Sequence, residues 1–415
     1  MFLTLLPKHF PDMQLLDVAQ IARRARDPDG DLQAVWGGRL PGKRVFGMPA
    51  GRHALWGFLD VAGISPGGEV IVAGYNYYVI VRLLIQWGLH PVFADIDPAT
   101  LTLDAGAVSK AITARTVLVV VTHMFGVPAD MDGILDICRP HGIKVFEDCA
   151  HAIGTSGRAG QVGTRGDGAL FSFGPQKILN CFGGGMLALD PVLARCWSPM
   201  QHPNVSLAVA ASMPVKVVVS LCLSPSLYRW TLRPLIAMGR VLAAWGRPWL
   251  RDLTSPARDI EDYRFDVRSR PAFAAFVPFL CVRQLARLER NIAARRCIVA
   301  RIKAATADLP VYRYLDEDRF GRSNASYFGV YVDDAAAFTR YMLAEGIEVE
   351  PHEFHDCAGL PQFAAYAAAC RFSREAGQHL VRLPSFPRLA GRWERRIICA
   401  MRRYAQRATM AVAQC

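Results

Sequence analysis

A lysine and a carboxylate near the middle of the chain are spaced as a pair that could do covalent chemistry. Asp148 lies just past an apolar segment that is expected to form a strand, and Lys177 follows a second apolar segment, residues 169–173, by a few positions. Open α/β sheets bind ligands at the carboxyl ends of their strands, so both side chains are expected at one edge. A desolvated lysine amine can form a Schiff base and a carboxylate can keep a pyridine nitrogen protonated, which together suit pyridoxal 5'-phosphate. From spacing alone, a solvated loop lysine is the alternative.

Four short motifs surround this pair. They are Glu147-Asp148-Cys149-Ala150-His151, Gly163-Thr164-x-Gly166-Asp167, Ser172-Phe173-x-x-x-Lys177 and the glycine run 183–185. In order and spacing they resemble the DegT/DnrJ/StrS family of pyridoxal-phosphate-dependent sugar aminotransferases. The resemblance implies the α/β architecture of transferase fold type I, with a large domain whose mostly parallel sheet is flanked by helices and a smaller C-terminal α+β domain. It also implies that Lys177 forms the Schiff base and that Asp148 contacts the ring nitrogen.

Further cofactor contacts follow from the resemblance. Gly51 and Arg52 open a predicted helix where the family has a phosphate-binding block, but the hydroxyl residues of that block are replaced here. Backbone N–H groups and the Arg52 guanidinium are therefore expected to bind the phosphate. Tyr77 aligns with the aromatic residue that stacks on the pyridine ring, His151 with a residue near the ring oxygen, and Ser172 with a phosphate ligand. The structural alternatives are an ordinary helix start, a core aromatic residue and a buried serine.

Apolar segments alternate with segments of helical periodicity through the first half of the chain. Helices are expected between strands near residues 69–73, 90–96, 117–122 and 144–146. This alternation predicts a mostly parallel sheet with helical crossovers. A chain of 415 residues exceeds what one hydrophobic core usually organises. We therefore expect a large cofactor-binding domain in residues 1–265 and a small domain in residues 266–415.

The composition is basic, with a formal net charge of +12 and a pI near 9.3. The arginines are scattered along the chain rather than gathered in runs with aromatic residues, so nucleic acid is not expected as a partner. The 11 cysteines form no Cys-x-x-Cys pair, which disfavours a secreted disulfide framework and favours a reducing cytoplasm. The first residues lack the basic start and the cleavage site of a secretory signal.

Residues 205–249 are strongly apolar but are broken by Pro214, Pro225 and Pro234 and by several basic residues. No apolar run reaches the ~20 residues that a spanning helix needs. Short apolar helices edged by tryptophan and arginine suit a membrane interface instead. We expect this insert, which is longer and more apolar than its family counterpart, to contact the inner face of the membrane peripherally or to pack against a partner subunit.

No metal site is expected. His352 and His355 stand three residues apart after a proline, whereas the His-Glu-x-x-His zinc motif places its two histidines one helical turn apart. His123 follows a predicted buried strand and could touch substrate, but a lone histidine in such a place is more often structural.

The resemblance implies an aminotransferase that moves an amino group from an amino acid, glutamate by family likeness, to a nucleotide-linked keto sugar. Such a reaction would serve the synthesis of cell-surface polysaccharide, glycolipid or a natural product. A homodimer with shared active sites is also implied, although Arg268-Ser269-Arg270-Pro271 stands where the family has the Asn-Tyr-Arg motif that reaches the neighbouring site. Two alternatives are an aminotransferase acting on a membrane-associated or lipid-linked ketone, and a non-catalytic sensor or scaffold at the membrane.

Overall fold

The seven-stranded sheet at the centre of the protein brings the ends of five parallel strands to one edge. The computed structural model describes residues 6–9, 14–22, 25–198, 274–351 and 354–413. Its strands are β1 (Arg44–Met48), β2 (Glu69–Ala73), β3 (Tyr75–Asn76), β4 (His90–Ala94), β5 (Thr116–Thr122), β6 (Lys144–Asp148), β7 (Ser156–Gly157), β8 (Gly160–Gln161), β9 (Gly168–Ser172), β10 (Gly185–Leu189), β11 (Arg313–Tyr314), β12 (Gly321–Arg322), β13 (Phe328–Tyr331), β14 (His355–Asp356) and β15 (Leu380–Leu383).

The large sheet has the strand order β1-β10-β9-β6-β5-β2-β4. Strands β4, β2, β5, β6 and β9 are parallel, and β10 runs antiparallel between β9 and β1. At the carboxyl edge Thr122 pairs with Asp148, and Asp148 pairs with Leu170. The predicted mostly parallel sheet is confirmed, but β6 runs two residues beyond the predicted end at Phe146, so Asp148 is its last residue.

Helices cover both faces of this sheet. The α-helices of the described residues span Leu15–Val18, Pro28–Trp36, Gly51–Val61, Tyr78–Trp87, Ala105–Ala111, Met131–Cys138, Pro191–Ala194, Val277–Leu285, Leu288–Ala305, Ala335–Ala344, Arg371–His379 and Arg392–Ala413. Val72 of β2 packs in one apolar cluster with Leu55, whereas its neighbour Ile71 packs in another with Ile134. Such burial on both faces explains why the central strands read as continuous β-branched runs.

The C-terminal part of the chain forms a second sheet, in the order β11-β13-β15. Its apolar residues make a separate cluster that includes Phe328, Phe338 and Ile397. This arrangement agrees with the predicted smaller α+β unit. The expected boundary at residues 265–266 lies outside the described residues, so the exact division into two domains stays a prediction.

Within the described part of the chain, no helix combines the length and the apolarity needed to cross a bilayer. The insert at residues 205–249 lies outside that part, and the prediction of its membrane contact is untested.

Candidate active site

Asp148 lies buried at the carboxyl end of β6. It is 5% exposed, and its Oδ1 accepts a hydrogen bond of 3.0 Å from the Ala150 N–H. Burial raises the pKa of Asp148, while the Ala150 N–H and the charge of Lys177 act in the opposite direction. A buried carboxylate that keeps much of its hydrogen-bonding capacity is suited to hold the proton of a ring nitrogen.

Lys177 lies in the loop after β9, where its backbone N–H donates to the Gly174 carbonyl. Its Nζ lies 6.0 Å from the centroid of the Tyr327 ring. Burial dominates the pKa of Asp148 and of His151, and the charge of Lys177 acts to lower both. The lysine therefore lies within electrostatic reach of both predicted partners.

The helix that begins at Gly51 starts beside the end of β9. A Cβ atom placed on Gly51 would lie 3.6 Å from the Cβ of Ser172, and one placed on Gly185 would lie only 2.6 Å from the Gly51 nitrogen. A glycine at position 185 therefore lets β10 approach the helix start. Ala50 offers no capping side chain, and Arg52 is half-buried in the first turn. First-turn N–H groups near a serine hydroxyl suit an anion such as phosphate.

His151 lies in the loop after β6. Its ring centroid is 4.6 Å from that of Tyr327 and 5.0 Å from that of Phe354. Nδ1 is buried and has no hydrogen-bond partner among the described residues. Burial, followed by the charges of Lys177 and Arg382, holds the pKa of His151 well below its usual range. The imidazole is therefore neutral at pH 7 and can offer Nδ1 to a polar group.

Tyr77 precedes the helix Tyr78–Trp87 and is 40% exposed. Its ring centroid lies 6.3 Å from that of Phe354, which also contacts His151. Tyr77 thus joins the same aromatic group as His151. A ring with this exposure is not a core residue, and it suits stacking on a bound aromatic ring.

Glu147, the neighbouring acid, has a structural role. It accepts hydrogen bonds of 2.7–2.8 Å from three backbone N–H groups in the turn 163–166 and one of 3.0 Å from His123 Nε2. Nε2 carries the proton because the Ala129 N–H donates to Nδ1 of His123. Burial alone would raise the pKa of Glu147, but His123 and the N–H groups outweigh it and hold the pKa below its usual value.

His123 is accordingly a structural residue, which fits the more common case for a lone histidine. Together with Glu147 and Cys149 it forms a buried group whose potential metal-ligand atoms lie within 4.8 Å of one another. The imidazole nitrogens and the carboxylate oxygens of this group are engaged in the hydrogen bonds above, and burial raises the pKa of the Cys149 thiol well above its usual range. The histidine and the glutamate of this group thus form hydrogen bonds within the protein. His352 and Glu353 lie outside the described residues.

The sequence reasoning missed four residues of the site: Asn324, Tyr327, Phe354 and Arg382. Asn324 Nδ2 donates to the His151 carbonyl at 2.8 Å, and the Arg382 guanidinium carbon lies 4.5 Å from the Tyr327 ring centroid. These residues come from the C-terminal part of the chain, and no local motif marks them. Only the tertiary arrangement brings them to the edge of the large sheet.

The polar groups at this edge fit pyridoxal phosphate. Three of the buried polar atoms that have no hydrogen-bond partner among the described residues lie at this edge: Asn76 Nδ2, Thr122 Oγ1 and His151 Nδ1. Buried polar atoms are nearly always paired in folded proteins, so a polar ligand is expected to complete them. The amine of Lys177 and the carboxylate of Asp148 add the two groups that a pyridine aldehyde requires.

The parallel sheet, its covering helices, the smaller C-terminal sheet and the lysine and carboxylate at the strand ends define fold type I of the pyridoxal-phosphate-dependent transferases. The model of the DegT/DnrJ/EryC1/StrS aminotransferase family matches residues 42–202 and 276–402. The chain belongs to this family.

Three curated relatives match parts of the chain. An L-glutamine:scyllo-inosose aminotransferase from Streptomyces griseus is 41% identical over 132 residues, or 32% of this chain and 31% of the relative. A pleiotropic regulatory protein from Geobacillus stearothermophilus is 36% identical over 191 residues, 44% and 51% of the two chains. A UDP-N-acetyl-3-dehydro-alpha-D-glucosamine 3-aminotransferase from Acidithiobacillus ferrooxidans is 39% identical over 142 residues, or 34% of this chain and 38% of the relative. The matched stretches thus span between about a third and a half of these relatives.

A solved structure extends the likeness to almost the whole chain. The aminotransferase TlmJ from Streptoalloteichus hindustanus superposes with a TM-score of 0.73 over 98% of this chain and 100% of that chain, at 21% identity. At this identity the likeness concerns the fold.

Proposed function

We propose that the protein is a pyridoxal-phosphate-dependent aminotransferase that moves the amino group of an amino acid to a keto sugar. The observation that carries the proposal is that Asp148, at the end of β6, and Lys177, in the loop after the neighbouring strand β9, lie at one edge of the sheet, with His151 and Lys177 Nζ beside the same Tyr327 ring. Membership of an aminotransferase family supports it.

When bound, pyridoxal phosphate supplies an aldehyde that reacts with amines and a protonated ring that withdraws electrons. In the proposed arrangement Asp148 would hold the proton at the ring nitrogen, and His151 Nδ1 would bond to the ring oxygen. Ser172, Arg52 and the N–H groups of the helix that Gly51 begins would bind the phosphate.

Lys177 and Tyr77 have different roles in the proposed site. The amine of Lys177 would hold the aldehyde group and, when free, would carry a proton away from the donor and back during the transfer. Tyr77 covers the ring and excludes water from it. Lys177 is therefore base and acid in turn.

The substrates are proposed from the relatives. By their names, one relative uses L-glutamine and scyllo-inosose, and another acts on a UDP-linked 3-dehydro sugar. We propose a nucleotide-linked keto sugar as the acceptor and glutamate as the donor, with glutamine as the alternative donor that the first relative favours. The aminated sugar would serve the synthesis of a surface polysaccharide, a glycolipid or a natural product.

The proposed setting is a cytoplasmic homodimer with shared active sites. The cysteines of the described residues are free, which suits a reducing compartment. The exposure of Tyr77 leaves one side of the site to be completed by a partner subunit.

A regulatory protein is the second candidate, because one relative carries that name. The presence of both Lys177 and Asp148 favours catalysis instead, since a protein without chemistry has no need of a buried carboxylate that keeps its hydrogen-bonding capacity.

The half-reaction tests the proposal. Protein loaded with pyridoxal phosphate is mixed with L-glutamate or L-glutamine, and the 2-oxo acid released is measured against the concentration of sites. We expect stoichiometric release with one of them, and Asp148→Asn should slow it by at least about tenfold. Asp60→Asn, at an exposed position, serves as the matched control. Failure of the wild type to release a 2-oxo acid from either donor would leave the regulatory protein as the better reading.

A further inference from the structure

The helix Arg392–Ala413 concentrates positive charge on one side. Its arginines recur at helical spacing, at positions 392, 395, 396, 402, 403 and 407. This spacing places them on one face, which we call the arginine face. Arg396 is half-buried and the other five are exposed. The opposite face packs into the C-terminal core through Ile397, Met401 and Ala405.

Part of this charge is compensated by neighbouring elements. Arg402 pairs with Asp308 at 2.9 Å, and Arg403 pairs with Glu345. The only acid in the helix, Glu394, is buried and therefore lies off the arginine face. The helix itself therefore contributes no acidic residue to this face, and the acids beside it, Asp308 and Glu345, come from neighbouring elements.

Three of the six arginines have no such acidic partner among the described residues. Within the described part of the chain, Arg392, Arg395 and Arg407 have no carboxylate at ion-pair distance. Burial lowers the pKa of Arg396, and the like charges of Arg392 and Arg403 lower it further against the opposing effect of Glu345. A row of like charges of this kind creates a positive potential that attracts a polyanion.

We propose that the arginine face docks on the anionic headgroups of a lipid bilayer. The arginines extend over roughly 22 Å of a straight helix, so the row can meet a flat surface along its whole length. Trp393 lies half-buried at its start, with the guanidinium carbons of Arg392 and Arg396 at 5.6 and 5.5 Å from its ring. Tryptophan beside arginine is typical of helices that lie at a membrane interface. A nucleic-acid duplex matches less well, because its backbone curves away from a straight row.

Vesicle flotation tests this surface in the full-length protein. The vesicles contain phosphatidylcholine with about a third phosphatidylglycerol, or phosphatidylcholine alone. The test variant is Arg392→Glu/Arg395→Glu/Arg407→Glu, whose three side chains have no described ion pair to lose. The control Lys110→Glu/Arg139→Glu/Arg195→Glu changes the net charge equally at exposed positions elsewhere. Circular dichroism and melting establish that both variants are folded.

We expect the wild type and the control to float with the anionic vesicles only, and the test variant to bind them at least about 100-fold more weakly. Binding of the wild type should weaken as salt is raised above ~0.1 M. Equal binding by the test variant would overturn the proposal and point to residues 205–249. Absence of wild-type binding, or binding to duplex nucleic acid in its place, would overturn it as well. The outcome is independent of the proposed reaction.

Discussion

Replacing the two adjacent acids of β6 by their amides should have opposite effects on stability. Glu147 Oε1 accepts from two backbone N–H groups, and Oε2 accepts from a third and from His123. A glutamine side chain keeps one acceptor oxygen, so its NH₂ group would face two of these donors. Two charge-assisted hydrogen bonds lost in a buried site correspond to about 3 to 4 kcal/mol. Glu147→Gln should lower the free energy of unfolding by this amount.

Asp148→Asn should leave the cofactor-free protein as stable or more stable at pH 7. Burial raises the pKa of Asp148, so its ionised form costs stability once the pH exceeds its usual value. An amide removes that cost. Glu147 has a lowered pKa, so its contribution is complete above its usual value of 4.5 and is lost as the pH falls through the lower folded value.

Urea unfolding of the cofactor-free proteins from pH 7 down into the acid range measures both effects. The difference in the free energy of unfolding between wild type and Glu147→Gln should shrink below about pH 4.5. Two results would refute the assignment of a structural role to Glu147 and a chemical role to Asp148. One is a Glu147→Gln protein as stable as the wild type at pH 7, and the other is an Asp148→Asn protein destabilised as strongly as Glu147→Gln.

Two further predictions concern the surroundings of the site. Gly185→Ala should abolish cofactor retention or folding, because the new Cβ would lie 2.6–2.8 Å from backbone atoms of residues 50, 51 and 171 that have no room to move. Gly174→Ala is the control, because the nearest atoms to its new Cβ are at 3.8 Å or more. Cofactor retention is measured by absorbance and folding by thermal melting, and Gly174→Ala should behave as wild type in both. If both variants behaved as wild type, the close packing around Gly185 would be contradicted. Asn324→Ala should lower the free energy of unfolding by about 2 to 3 kcal/mol, because the buried Ile153 carbonyl loses the donor Asn324 Nδ2 and the buried His151 carbonyl loses one of its two donors. Ser326→Ala removes a single bond to the same loop and should cost clearly less in the same denaturation series; the reverse order would speak against Asn324 as the main anchor.

The sequence was sufficient for the parts of the site that depend on chain order. Parallel strands bring their carboxyl ends to one edge, so acids and lysines that follow apolar segments are placed there by topology. The pattern predicted the end of β6 at residue 146, whereas the strand continues to Asp148. The physical reason is that four donors satisfy the charge of Glu147, so a residue that is usually exposed can remain in a buried strand.

Residues contributed by the C-terminal sheet could not be predicted in this way. Tyr327 and Arg382 reach the site through packing between distant segments, and neither belongs to a local motif. The arginine face differs in this respect. Its six members lie within residues 392–407, and the helical period of Arg392–Ala413 places them on one side.

The identity of the attachment lysine tests the central claim most directly. Protein loaded with pyridoxal phosphate is reduced with borohydride, digested and mapped by mass spectrometry. We predict one pyridoxyl-labelled peptide, containing Lys177, and no reducible adduct in Lys177→Ala at the same cofactor concentration. Labelling at another lysine of the wild type, or an undiminished adduct in Lys177→Ala, would contradict the assignment of this lysine and of the site built around it.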